Sequence, residues 1–311
     1  MTRVDQKKST VTRSCRLLLI LLLFGLLLTP ERGEATENAD QVKLPISIFV
    51  SIGAHLDFCR EIGAGRVAVK LALPPGKNPA TYAPAPQLIQ ALSRSRLYFK
   101  VGLPFETALL AKVKALPRSP EIIDAQKGIV LQPMQSDFPR HGGPHRHTGL
   151  DPHTWLDPER AKIIARHMRD GLRGIDPTHG EDYNRRYEAL AADLDALDAE
   201  LAKLLAPARG QSFLVFHPSW SYLAERYGLH QIPIEEEGKE PGPRRLVRLI
   251  EEARRRGVTS ILVQRQFSAR TAEAVAREIG AQVIPADPLA PDYFENLRAV
   301  AREIAAAARP L

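Results

Sequence analysis

Four side chains of metal-binding type stand at the ends of apolar runs or in a rigid turn. His55 follows "ISIFVSIGA", His217 ends "SFLVFH", Asp287 ends "AQVIPAD", and His153 lies in "DPHTWLDP" between two Asp-Pro steps. Proline fixes φ, removes a donor and turns the preceding residue away from helix, so the two steps build a stiff turn around the His153 imidazole. If the apolar runs are strands of open parallel sheets, their carboxyl ends line a crevice, which is where ligands bind in such sheets. Three imidazoles and one carboxylate facing a single crevice suit a borderline-soft divalent ion, zinc first, because it takes tetrahedral nitrogen and oxygen ligands. The spacing is long-range, so sequence alone leaves convergence open. The plainer reading of His153 is an incidental histidine at a helix start, since Asp157 is a good N-cap and Pro158 a good first helical residue.

The elements that must position these residues alternate. "LPISIFVSI" reads as a buried strand, a helix follows from His55 to about Ile62 and closes on Gly63, and "RVAVKLALPPG" is a second strand. "PAPQLIQALSRS" is helical, "RLYFKVG" a strand and "PFETALLAKVKAL" helical again, while Met134 to Gly149 is a polar loop. From Glu181 to Ala206, leucines at steps of three and four predict one helix of ~7 turns, stopped by Pro207. Strands "SFLVFH", "HQIPIE", "TSILVQ" and "AQVIPAD" then alternate with helices "SWSYLAERYG", "RRLVRLIEEARRRG" and "SARTAEAVAREIG", and residues 290–308 are mostly a terminal helix. This predicts an α/β fold of two Rossmann-like lobes with mainly parallel sheets joined by one long helix. The boundaries fall at 1–35 for a leader, 42–180 for the first lobe, 181–207 for the helix and 208–311 for the second lobe. "GAGRVA" imitates a dinucleotide fingerprint but follows a helix and precedes a strand, the wrong order for that motif.

The leader consists of a basic stretch and the apolar run Leu17 to Leu28, 12 residues long. That suits a signal-peptide core and falls short of the roughly 20 residues that span a bilayer as a helix. Cleavage after Ala35 and export to the periplasm are expected, against an uncleaved anchor. No cysteine follows the run in lipoprotein fashion. Cleavage lowers the formal charge from +7 to +4, too little and too scattered for nucleic-acid binding. Cys15 leaves with the leader, so Cys59 has no partner and reads as a small apolar core residue beside Phe58 and Ile62.

Four separated motifs, "DPHTWLDP", "FHPSWSYLAERYGL", "EGKEPGP" and "ADPLAPDYFENL", resemble, in order, the zinc and manganese solute-binding proteins of ABC importers (ZnuA-like, TroA-like, cluster A-I). The resemblance runs from about Ile46 to the C-terminus. It implies the TroA-like, class III solute-binding fold, a metal in the cleft, a monomer, and delivery to an ABC permease with its cytoplasmic ATPase. The family's second, third and fourth ligand positions fall on His153, His217 and Asp287. Its first histidine, after a "PPG" turn, falls in "PPGKNPATY" on Ala80, which has no lone pair to offer. Either the site keeps three ligands and a water, or another residue fills the gap. His55 is the candidate because it ends the neighbouring strand, with a solvent-exposed helix-start histidine as its alternative.

Glu106 and Gln264 stand near strand ends as hydrogen-bonding residues around a site, if they join it at all. His141, His145 and His147 lie in the polar loop, either as a short metal collector of the family's kind or as ordinary loop polarity. Trp155, Trp220, Tyr82 and Phe267 could wall the cleft or simply pack the core. His167, His179 and His230 read as structural. The expected function is periplasmic capture of Zn2+, with no enzymatic activity, and binding that weakens as pH falls because imidazoles ligate only when neutral. A manganese or iron receptor of the same fold is one alternative. A zinc hydrolase using the open fourth position is another, though no general base is evident beside the ligands.

Overall fold

The computed structural model describes residues 45–134, 149–235 and 239–308. The leader, Cys15, His141, His145 and His147 lie outside the described residues. No helix among the described residues is long and apolar enough to cross a membrane.

The first sheet holds β1 (Ile46–Val50), β2 (Val67–Leu71), β3 (Leu97–Lys100) and β4 (Glu121–Asp124) in the order β2-β1-β3-β4, every pair parallel. Between these strands run α1 (Gly53–Gly63), α2 (Pro86–Ser93) and α3 (Pro104–Lys114). The second sheet repeats the plan with β5 (Ser212–Val215), β6 (His230–Pro233), β7 (Ser260–Val263) and β8 (Gln282–Pro285), ordered β6-β5-β7-β8 and again all parallel. Parallel neighbours need crossover connections, which is why helices alternate with the strands. After β4 the chain enters α4 (Pro158–Ile175) from the His153 turn and then α5 (Gly180–Leu205), which joins the two sheets. In the second lobe, α6 (Ser221–Tyr227), α7 (Pro243–Arg255), α8 (Arg270–Ile279) and α9 (Tyr293–Ala307) follow in turn.

Local chemistry sets the helix limits. Proline opens α2, α3, α4 and α7, where its missing N–H costs nothing. Gly228 ends α6 in the left-handed region at φ 70°, a conformation glycine adopts without strain. The strand β4 was not apparent in the sequence, because "EIID" is four residues long and has a charge at each end.

Leucines 190, 194, 197, 201 and 205 of α5 are buried along one stripe, and the helix packs against α1, α4 and α9. One apolar cluster therefore runs from β1 and β3 through α5 to Phe213, Trp220, Tyr293 and Leu297 of the second lobe. A smaller cluster under α7 and α8 belongs to the second lobe alone. Leu44–Leu311 accordingly groups as one compact unit.

Both sheets change winding direction beside their first strand, at β1/β3 and β5/β7. In doubly wound folds ligands bind at that switch point. The first lobe fills its own: the Glu106 carboxylate accepts from the backbone N–H of Val101, Gly102 (2.7 Å) and Leu103 (3.0 Å) at the start of α3, and from Ser51 Oγ. Amides that could cradle a phosphate are thus occupied by a carboxylate of the same chain. In the second lobe each strand is followed by a polar residue: His217 beyond β5, Glu235 beyond β6, Gln264 beyond β7 and Asp287 beyond β8.

Candidate metal centre

His153 belongs to the turn before α4 and His217 to the end of β5. The two lobes bring their rings to a centroid separation of 5.4 Å, edge to face. Besides its prolines, the turn is held by Asp151. Its Oδ1 accepts from His153 N–H (2.9 Å) and lies 2.6 Å from His153 Nδ1, its Oδ2 accepts from Ser221 Oγ, and its carbonyl accepts from Tyr222 Oη–H (2.8 Å). Gln126, beyond β4, adds bonds to the Pro152 carbonyl and to Thr154 Oγ1 (2.6 Å). Asp157 caps α4 as its sequence position suggests, accepting from Glu159 N–H at 2.9 Å.

His217 is held from several sides. Its Nδ1 lies 2.8 Å from Glu235 Oε1, its N–H donates to Gln264 Oε1 and its carbonyl accepts from Gln264 Nε2, both at 3.2 Å. Phe267 stacks on the ring at 5.6 Å. With Nδ1 of both imidazoles engaged, Nε2 of each is left without a hydrogen-bond partner among the described residues. Two neighbouring imidazoles presenting the same nitrogen have the donor chemistry that a divalent transition metal takes.

Asp287 is tied down beside its strand end: Oδ1 accepts from Gln266 Nε2 (2.9 Å) and from Leu289 N–H (3.0 Å). His55 lies in α1, fully buried between Phe58 and Trp155, and neither ring nitrogen has a partner. Burial alone pushes its pKa down to about 3, so it is a neutral imidazole. Trp155 also touches the His153 ring, at 5.3 Å, so one indole contacts both histidines. Among the described residues no three His, Cys, Asp or Glu side chains are gathered to hold an ion, so neither His55 nor Asp287 completes a group of three with the histidine pair. Ala80 is exposed and its N–H donates to Asn78 Oδ1 at 2.8 Å.

Of the four aromatic residues, Trp155 and Phe267 flank the imidazoles. Trp220 is buried at the start of α6 and Tyr82 packs on Phe105. His167 Nε2 lies 2.7 Å from the Lys127 carbonyl and His179 Nδ1 lies 2.9 Å from Asp176, while His230 is exposed at the start of β6. Cys59 is buried and free, and burial pushes its thiol up to about 12, against the opposing pull of Arg60. Sequence reasoning missed Asp151 and Glu235. The rule that pointed to His217 and Asp287, polar residues beyond strand ends, would have found Glu235 at the end of "HQIPIE". Asp151 stands two residues before His153, the spacing at which an Asp side chain bonds a backbone N–H.

Residues 48–307 match the family model described as zinc-uptake complex component A, periplasmic. A putative metal-binding protein of Chlamydia muridarum is 26% identical over 291 residues, covering 93% of this chain and 99% of its own length. A crystal structure of ZnuA superposes with a TM-score of 0.79 at 38% identity, over 85% of this chain and 100% of that one. A ZnuA deletion mutant with zinc bound gives 0.78 at 39% identity, over 86% of this chain and 99% of its own.

Proposed function

The chain belongs to the family of periplasmic zinc-uptake complex component A, and from that membership we propose that it captures Zn2+ in the cleft between its lobes and delivers it to an ABC permease driven by a cytoplasmic ATPase. Family and fold are those of solute-binding transport proteins that bind metal for import, not of enzymes. The observation that carries the reading is the pair His153 and His217, one from each lobe, with rings 5.4 Å apart. We assign their Nε2 atoms as ligands and Asp287 as the carboxylate donor. His55 takes the position left by Ala80, a role supported by two buried ring nitrogens that lack partners and by the Trp155 side chain it shares with His153. Export by the apolar leader to the periplasm, and action as a monomer, complete the proposal.

Competitive zinc and manganese titration of the mature protein, with bound metal counted by mass spectrometry, tests it. One zinc per chain is expected, with affinity weakened by orders of magnitude in His153→Ala and His217→Ala. Preference for manganese over zinc would change the cargo, and wild-type affinity in both variants would remove the site from this cleft.

A further inference from the structure

We propose that Glu235 and Asp151 are positioning residues for the metal, one in each lobe, which fix the tautomer of His217 and His153 so that both present Nε2 to the ion. The proposal rests on the ligand pair assigned above and adds what holds it in place. An imidazole offers a metal whichever nitrogen its other hydrogen bond leaves free. Here both Nδ1 atoms face a carboxylate, at 2.8 Å for His217 and 2.6 Å for His153, so Nδ1 carries the proton and Nε2 the lone pair. A carboxylate behind a ligating imidazole also raises its basicity, and losing such a partner typically weakens metal binding about 10–100-fold.

The backbone shows that the Glu235 contact is built in. Ile234 N–H donates to the Val215 carbonyl (2.8 Å) and Glu235 N–H to the Phe216 carbonyl (3.1 Å), which extends the β5–β6 pairing up to the residue before His217. That pairing brings Glu235 alongside His217, where its Oε1 meets Nδ1, and Gln264 fixes that histidine's main chain from the β7 side. Glu235 sits on the Nδ1 edge, away from Nε2, so it acts on the ion through the imidazole. The two carboxylates differ in one respect. Asp151 divides its oxygens between His153 and Ser221, whereas Glu235 Oε2 is buried with no partner among the described residues, so no other donor competes with His217 for its charge. Glu235 is the better one to remove because it does not also tie the lobes together.

Nitrogen-15 NMR of the imidazoles in the mature metal-free protein, beside zinc titration, tests the assignment in Glu235→Leu and Glu235→Gln. The wild type is expected to show His217 as the Nδ1–H tautomer. Glu235→Leu should shift it toward Nε2–H and lower zinc affinity about 10–100-fold. Glu235→Gln, which keeps an acceptor oxygen but not the charge, should hold the tautomer and lose several-fold. Unchanged tautomer and affinity in Glu235→Leu would overturn the proposal; should that variant not fold, unchanged affinity in Glu235→Gln would do so. A His217→Ala variant that binds zinc like the wild type would sink the ligand assignment instead, and the metal-free tautomer reads the Glu235 contact independently of it.

Discussion

Asp151 and Ser221 meet across the two lobes: the serine hydroxyl at the start of α6 donates to Oδ2 of the aspartate whose Oδ1 holds the His153 ring. Burial opposes ionisation of Asp151, but the His153 ring and the bonds from His153 and Ser221 outweigh it and hold the carboxyl below the usual carboxylate range. One fully buried side chain therefore both aims a candidate ligand and fastens the lobes. Ser221→Ala should cost about 1–3 kcal/mol, because it strips a donor from a buried charge. It should also weaken zinc binding, since the His153 turn loses its anchor on α6. Urea unfolding and zinc titration of the variant measure both, and an unchanged midpoint and affinity would show that the tie is idle.

His55 separates a ligand from a core residue. Leucine is similar in volume and carries no polar atoms, so His55→Leu removes two buried, unpartnered nitrogens. The metal-free protein should be as stable as the wild type or more so. If His55 is the fourth ligand, zinc affinity should nevertheless fall at least ~10-fold, as it does for lesser changes around metal sites. Gained stability with unchanged affinity would leave three protein ligands, with a water in the position that Ala80 cannot fill.

The alternation of strands and helices was legible because each element carries its own periodicity. The long helix, expected over Glu181–Ala206, spans Gly180–Leu205, since its leucine stripe is strictly local information. The site was legible only in part. His217 was picked out by strand-end logic and His153 by its rigid turn, but the distance between them depends on how α5 and α9 pack the lobes together, which no local pattern records. The prolines of "DPHTWLDP" account for the stiffness of that turn in sequence, and the structure adds the bonds of Asp151, the aspartate before the first of them. His55 looked like a strand-end residue free to reach the cleft; Phe58 beside it is a neighbour on the same helix, but its enclosure by Trp155 follows from packing against a segment about 100 residues further along the chain.

Gly53 opens α1 where backbone of the second lobe packs against it. A Cβ there would lie 2.5 Å from the Leu289 carbonyl oxygen and 2.8 Å from Pro291 N, both backbone atoms of the turn after Asp287. Backbone cannot swing aside as a side chain can, so Gly53→Ala should cost about 1–3 kcal/mol and push that turn outward. Because Leu289 N–H holds Asp287 Oδ1, zinc affinity should drop as well. Gly171→Ala is the control. Its Cβ would strike Ile123 and Phe99 inside the first lobe, so calorimetry should show lost stability while zinc affinity is kept.

Asp198 of α5 accepts from Arg226 Nε and Nη2 and from Tyr227 Oη–H (2.9 Å) on α6, pinning the long helix to the second lobe. The Arg226 hydrogen bonds are the main reason its carboxyl lies below the ordinary aspartate value, and they outweigh the opposing effect of burial. A carboxyl with a depressed pKa releases its proton more readily in the folded chain than in the unfolded one. Its contribution is therefore complete above the unfolded value, near 3.9, and disappears as pH falls through the folded one. Asp198→Asn should cost about 1–2 kcal/mol at pH 7, a moderate figure because both partners are partly exposed to solvent. Urea unfolding of wild type and variant at pH 7 and at pH 3 measures the gap. It should narrow at the lower pH as the wild-type carboxylate protonates, and a gap that stayed constant would assign the cost to lost packing between α5 and α6 instead of to the ion pair.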